Sequence, residues 1–542
     1  METSQHPHIQ SLGQRGYIQG TTIVSKSTNS PLCHYFGGLR YALPPAQRWR
    51  RAHPLPSSYT YGTKEQPGRH DGKAGVCPQP GFRGPADETG WSEDCFQCNV
   101  WVPVGEAPKE EWPVFVFLHG GWLQFGTPNS VSLSALLSET DFKAIIVLPA
   151  YRLNVFGFLY SSELEQDAVS AGETVGNHGF WDQRLALEWT KENIHLFGGN
   201  AANITISGYS AGAYSVFHQL AYDLRLPKDI SLVKQAIIWS NGPAVQSKSP
   251  SETQLQFNQF LSALNIPFSL PASEKIARLR ALPAKALLSA ASSIDIHQFR
   301  PTTDSAFIPA SLFQSLDNGD FARRVAERNV RIMLGECRDE HSLYGIWYPP
   351  SSNSLPALRQ RLLADYPRRV VDTLINHYYP AGQLPADCKN WDSDAFGRIY
   401  ADMQVHKMQR GLVHALVTGG AAHCLYRYRI EYRLKCADHA VPPEWGVTHV
   451  TDQYMWFWGN GDVLEAGEKD LVKQAFLESL ARFVRGDAEI NWGTGSYREV
   501  RTLKPDGSVE ISNDALWDDA LRVWKALREV GEPMEAVSAV KL

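Results

Sequence analysis

Gly208-Tyr209-Ser210-Ala211-Gly212 sits between a β-branched run, Ile204-Thr-Ile-Ser207, and a stretch of helical spacing, Tyr214-Ser-Val-Phe-His-Gln-Leu220. The bare pattern G-x-S-x-G is weak, because a chain of this length and glycine content shows it by chance about 0.2 times. Its placement between a strand and a helix is far rarer. A sharp strand-to-helix turn needs small flanking residues, and it lifts the serine Oγ clear of the sheet as a nucleophile. The following helix aims its N-terminal N–H groups at the charge that develops. A serine hydroxyl is weak at neutral pH, so this chemistry also needs oxyanion donors, a base and an acid that orients the base. His119-Gly120-Gly121-Trp122 offers the donors, since glycines let backbone N–H groups turn towards a substrate oxygen. For the base and the acid, residue type alone decides nothing among 17 histidines and 57 acidic residues.

A nucleophile of this kind needs a rigid sheet behind it, and the first half of the chain supplies one. Short β-branched or aromatic runs at 114–118, 144–148, 204–207, 235–239 and 330–334 predict central strands, with amphipathic stretches between them as crossover helices. Residues 182–194 read as a helix capped by Asp182 and stopped by Phe197-Gly-Gly199. Helical periodicity prevails at 249–310 and 349–417, which read as insertions into one α/β body spanning 1–542, because no Gly/Ser/Pro linker sets them off.

Composition narrows the function. The 542 residues are 43% hydrophobic and 20% charged, an ordinary globular balance. Lys+Arg 52 against Asp+Glu 57 leaves a net charge of −5 without a basic stripe, which argues against nucleic acid. No apolar run approaches the roughly 20 residues that span a bilayer. The N-terminus lacks the basic and apolar regions of a secretory leader, so a cytoplasmic chain is expected unless a leader was removed. Val540-Lys541-Leu542 matches a peroxisomal address only loosely. Eight cysteines are too sparse for a disulfide scaffold and lack paired zinc spacing; Cys95-Phe-Gln-Cys98 reads as part of a strand. No metal is called for.

Ordered motifs along most of the chain resemble the type-B carboxylesterase/lipase family, the cholinesterase-like branch of the α/β-hydrolases. Tyr35-Phe-Gly-Gly-Leu-Arg-Tyr-Ala-Leu-Pro-Pro45 resembles its F-x-G-I-P-Y-A-x-P-P, and Ser92-Glu-Asp-Cys-Phe-Gln-Cys-Asn-Val100 its S-E-D-C-L-x-L-N-V. Tyr151-Arg-Leu-Asn-Val-Phe-Gly-Phe-Leu159 and Gly176-Asn-His-Gly-Phe-Trp-Asp-Gln-Arg-Leu-Ala-Leu187 match two more. The resemblance implies an α/β-hydrolase fold, with a mostly parallel twisted sheet, flanking helices and helical insertions around a substrate gorge. It implies a serine hydrolase acting on carboxylic esters of small or medium size without a cofactor, and a homodimer is compatible with it.

The family's acid stands in G-x-x-x-D-E-G, and Gly335-Glu-Cys-Arg-Asp-Glu-His341 puts Glu340 there, ahead of its neighbours Glu336 and Asp339. The family's base stands in G-x-x-H-x-x-[ED], and Gly446-Val-Thr-His-Val-Thr-Asp452 supplies His449. The order Ser210, Glu340, His449 is the α/β-hydrolase order. The oxyanion donors implied are the backbone N–H groups of Gly121, Trp122 and Ala211.

The chain departs from the pattern at two places: Trp122 replaces a third glycine in the oxyanion loop, and Tyr209 replaces a glutamate beside the nucleophile. Both are expected to touch substrate. In cholinesterases a Trp ten residues before the S-E-D-C cysteine faces the cation, whereas Pro85 stands there in this chain, with Trp91 in the same loop. With Tyr209 this predicts a preference for uncharged esters. Cys77 and Cys95 resemble the pair that closes the family's first disulfide loop. Two other readings remain: acyl transfer or lactone formation by the same three residues, and a non-catalytic scaffold, for which loss of those residues would be expected.

Overall fold

Alternate side chains of the run at 114–118 end in two different cores: Val114, Val116 and Leu118 in one, Phe115 and Phe117 in the other. Successive side chains of a strand point to opposite faces, so a strand apolar at every position must be covered on both. A computed structural model, describing residues 2–45, 47–82 and 84–530, places this strand inside a 13-stranded sheet. Met1 and Val540-Lys-Leu542 lie outside the described residues.

Twelve strands lie on one path: β1 (Thr3–Ser11), β2 (Tyr17–Ser25), β3 (Pro31–Arg40), β4 (Gln97–Pro103), β5 (Trp112–Leu118), β6 (Ile145–Pro149), β7 (Gly199–Tyr209), β8 (Gln235–Trp239), β9 (Arg331–Cys337), β10 (Leu425–Ile430), β11 (Glu499–Leu503) and β12 (Val509–Asn513). Their order is β1-β2-β3-β4-β6-β5-β7-β8-β9-β10-β11-β12, with the short strand Gly68–Arg69 beside β2. From β6 to β11 each neighbouring pair is parallel. The pairs beyond, β1 to β4, β4 with β6, and β11 with β12, are antiparallel. The five strands read from sequence are β5 to β9, all within the parallel block. Cys95 and Phe96 precede β4 rather than opening it.

Helix α1 (His178–Asn193) begins four residues earlier than the sequence suggests, with Asn177 as its cap. Asp182 therefore lies inside the helix and caps nothing. Its carboxylate accepts Arg152 Nε at 2.8 Å, Arg152 Nη2 at 2.7 Å and the Arg152 backbone N–H at 3.1 Å, and it is 0% exposed. The guanidinium is buried behind β6, and a buried cation needs a paired anion. Helix α2 (Ala211–Asp223) follows β7 directly. Residues 249–310 carry α3 (Pro250–Ala263), opened by a Ser249/Glu252 capping box, then α4 (Ala272–Ala281) and α5 (Ala284–Ser293). After β9 come the short α6 (His341–Tyr344), then α7 (Leu355–Asp365) and α8 (Arg368–Tyr378). Among the described residues no helix is long and apolar enough to cross a membrane.

Replacing Asp182 with Ala strands Arg152 in the core and is expected to cost about 3–5 kcal/mol in denaturant unfolding. A loss under about 1 kcal/mol would show that the pair is not a structural tie.

Candidate active site

β7 ends at Tyr209, and Ser210 makes the turn into α2 with φ 57 and ψ −125. A non-glycine residue held there is strained, and the strain is sustained by what surrounds it. Ser210 N–H donates to Trp239 O on β8 at 2.9 Å. A Cβ on Gly212 would lie 1.9 Å from Leu118 O, so the helix can start this close to β5 only with glycine there. The first turn of α2 points its free N–H groups towards Ser210.

His449 Nδ1 lies 2.5 Å from Glu340 Oε2, with the two residues 1% and 0% exposed. Glu340 Oε1 accepts Cys337 N–H at 2.9 Å, which fixes the carboxylate against the end of β9. A carboxylate can only accept here, so Nδ1 carries the proton and Nε2 is left with a lone pair. Nε2 faces the hydroxyl of Tyr344, 3.4 Å away, and the Ser210 side chain is close enough to act on the same phenol. Among the described residues Ser210 Oγ and His449 Nε2 share no direct hydrogen bond, and the Tyr344 hydroxyl stands beside Nε2.

The neighbouring carboxylates do other work. Glu336 is bound by Arg410 at 2.8 Å, by His406 at 2.8 Å and by Arg429. Burial alone would raise its pKa, but these cations hold the carboxyl well below the usual range. Asp339 accepts Val447 N–H at 2.9 Å and pairs with Arg338, which ties the loop of His449 to the end of β9.

In the loop after β5, Gly120 lies against Ser210: a Cβ there would be 3.0 Å from Ser210 Cβ. Among the described residues no acceptor meets the N–H groups of Gly121, Trp122 or Ala211. Buried backbone donors rarely stay unpaired, so N–H groups left without an acceptor beside a strained turn are open to a ligand oxygen. Trp122 and Leu123 hold φ of 56 and 65, and several residues brace them. Arg300 Nη1 donates to Trp122 O at 2.9 Å while its Nε meets Asp365 at 3.0 Å. Asn154 N–H donates to Leu123 O at 2.7 Å, and its side chain donates to Gln124 O at 3.0 Å. The Trp122 ring is buried in a stack with Trp347 at 4.4 Å and Phe82 at 6.0 Å, and its edge meets Tyr344.

Tyr209 differs from expectation. It is 2% exposed and packs with the core on the far face of the sheet, so it does not line a substrate pocket. Its ring lies 4.9 Å from that of His449, and its hydroxyl accepts Val450 N–H. Val450 has φ 90, a conformation that a β-branched residue avoids. Tyr209 thus anchors the strained residue next to His449. Cys77 and Cys95 meet as thiols instead of forming the disulfide that the resemblance implies. The Cys77 thiol, and then burial, push the Cys95 thiol well above its usual range, and Cys77 Sγ accepts Leu153 N–H at 3.3 Å.

Tyr344, Arg300, Phe82 and Trp347 went unnoticed in the sequence. Only Tyr344 carried a signal, one helical turn beyond Glu340 and so on the same face. Nothing local marks Arg300, which acts across 178 residues of chain.

Asp452, three residues beyond His449, is 0% exposed and accepts Ser240 Oγ at 3.1 Å. Burial, and then the nearby Glu340 carboxylate, push its pKa up to about 7. A raised carboxyl pKa means that the folded state keeps a proton which the unfolded chain releases near its ordinary value. That contribution to stability is full below the ordinary carboxyl range and is lost as pH rises towards 7. Melting temperatures measured from pH 4 to 7 should therefore fall less with rising pH in Asp452→Asn than in the parent; parallel curves would contradict the assignment.

Comparison with known proteins places this geometry. A sequence profile of the carboxylesterase family matches residues 6–522. A carboxylic ester hydrolase of Gibberella moniliformis is 46% identical over 532 residues, 96% of this chain and 96% of its own. An uncharacterised esterase/lipase of Schizosaccharomyces pombe is 37% identical over 95% of this chain and 96% of its own. The para-nitrobenzyl esterase of Bacillus subtilis is 28% identical, covering 92% and 95%. The crystal structure of EstA from Aspergillus niger matches the fold with a TM-score of 0.73 over 97% of this chain and 99% of that one, at 21% identity. The large sheet, parallel in its middle and flanked by helices, is the α/β-hydrolase fold. With the profile matched along nearly its whole length, the chain belongs to the carboxylesterase family.

Proposed function

We propose that this enzyme hydrolyses carboxylic esters through an acyl-enzyme formed on Ser210. The observation that carries the reading is the buried 2.5 Å contact between His449 Nδ1 and Glu340, beside a serine held at φ 57. Glu340 fixes the tautomer, so Nε2 is free to take the Ser210 proton as Oγ attacks the ester carbonyl. The oxyanion is met by the N–H groups of Gly121, Trp122 and Ala211, aimed before the charge appears. Such a donor is worth about 3 kcal/mol in related chemistry. The alcohol then leaves with the proton from His449, and water repeats the sequence on the acyl group.

Recognition of a quaternary ammonium needs an aromatic face with negative charge nearby, worth about 2 kcal/mol when desolvated. Pro85 and Tyr209 stand where cholinesterases have that Trp and that Glu, which favours uncharged esters. Trp122, in the loop after β5, stacks with Trp347 and Phe82, and aromatic bulk there suits an apolar acyl or alcohol group.

Ser210→Ala or His449→Ala should lower kcat by about 10⁴ or more, and the double variant should lose little beyond that, since members of such a unit are non-additive. Near-native turnover by Ser210→Ala would sink the reading. In kcat/KM, butyrylthiocholine should show no advantage over an uncharged thioester of the same acyl group; a tenfold choline preference would refute the inference from Pro85 and Tyr209.

A further inference from the structure

Glu340 and Tyr344 are one helical turn apart, and both reach the same imidazole. Glu340 takes its Nδ1 side, while the Tyr344 hydroxyl stands 3.4 Å from Nε2, with the Ser210 side chain near enough to act on that phenol. The tyrosine is 1% exposed and has little freedom to leave. Its ring lies 4.6 Å from that of His449, 5.4 Å from Tyr400 and 5.9 Å from Trp122, the last an edge contact. Burial, and then Glu340, push its phenol well above its usual range, so it stays protonated across the working pH.

Ester hydrolysis needs one more oxygen at this spot. The ester oxygen must take a proton from Nε2 as it leaves, and the attacking water must give one to Nε2 as it enters. Both must lie within reach of Nε2 and of the carbon bonded to Ser210 Oγ, and an oxygen close to Nε2 also comes close to the Tyr344 hydroxyl, 3.4 Å from that nitrogen.

We propose that Tyr344 is a catalytic residue whose hydroxyl hydrogen-bonds the ester oxygen as it departs and the water as it arrives. This rests on the reading of Ser210 as nucleophile. In acylation the carbonyl carbon–alkoxy bond breaks, its electron pair stays on the alkoxy oxygen, and the proton on Nε2 passes to that oxygen. Tyr344 O–H donates to the same oxygen throughout and keeps its own proton. In deacylation Tyr344 Oη accepts from one water hydrogen while the other passes to Nε2 and the new carbon–oxygen bond forms; the carbon–Oγ bond then breaks, its electron pair stays on Oγ, and Oγ takes the proton back from Nε2.

The test compares Tyr344→Phe with the parent on two esters of one acyl group, an ethyl ester and a p-nitrophenyl ester. Ethoxide must be stabilised and protonated to leave, whereas p-nitrophenolate leaves unaided. kcat/KM for the ethyl ester should fall about tenfold or more, and for the p-nitrophenyl ester less than about threefold. Equal losses on both esters would reduce Tyr344 to a packing role and overturn the proposal, as would no loss on either. Labelling of Ser210 by an organophosphonate, mapped by peptide mass, separates the two readings. If Ser210 is labelled at the parent rate in Tyr344→Phe, the fold and the nucleophile are intact and the ester comparison decides. If the probe labels a different serine in the parent, the reading of Ser210 falls and this proposal with it.

Discussion

The contact between His449 and Glu340 is the constraint around which the site is arranged. A carboxyl group that is 0% exposed is costly to bury unless it is hydrogen-bonded, and Glu340 has both the imidazole Nδ1 and the Cys337 N–H. This fixes where the carboxylate points and which imidazole nitrogen is free. The loop that carries His449 must therefore be held to the end of β9 from several sides. Asp339 binds Val447 N–H, Thr448 Oγ1 accepts Leu343 N–H at 3.2 Å, and Tyr209 holds Val450 in a strained conformation.

Behind that contact lies a second buried set of charges. Glu336, on the strand from which Glu340 departs, gathers Arg410, Arg429 and His406, and Arg410 with Arg427 also grips Asp514. Each charge in the set has partners of opposite sign, and removing any one would leave another stranded in a low-dielectric core. β9, β10 and the helix Lys407–Thr418 are thereby tied at the end of the sheet where the site is built. The loop after β5 is held similarly from the other side, where Arg300 joins Asp365 to Trp122 O.

What could be read from the sequence follows a physical line. β5 to β9 announced themselves because strands buried on both faces are continuously apolar. β1, Thr3–Ser11, gives no such signal: its residues are polar and largely exposed, and it is a strand because its backbone pairs with β2. Asp182 misled because an acid near the start of a helix looks like a cap, while its partner Arg152 lies 30 residues away. Positions 210, 340 and 449 were legible as motifs, and Glu340 with His449 proved to be in contact. Tyr209 was misplaced because a strand gives each residue one of two faces, and local sequence did not say which face it took. Arg300 was invisible because its role exists only once distant elements have folded together.

The central claim is that the acyl group of an ester comes to rest on Ser210. Rapid-quench peptide mass spectrometry, after mixing enzyme with an ester of slow deacylation, tests it most directly. The peptide containing Ser210 should gain the mass of one acyl group within the first turnover and lose it as product forms, with no such gain in Glu340→Gln on the same timescale. Ester turnover with that peptide unmodified, or with the acyl group on another residue, would contradict the account.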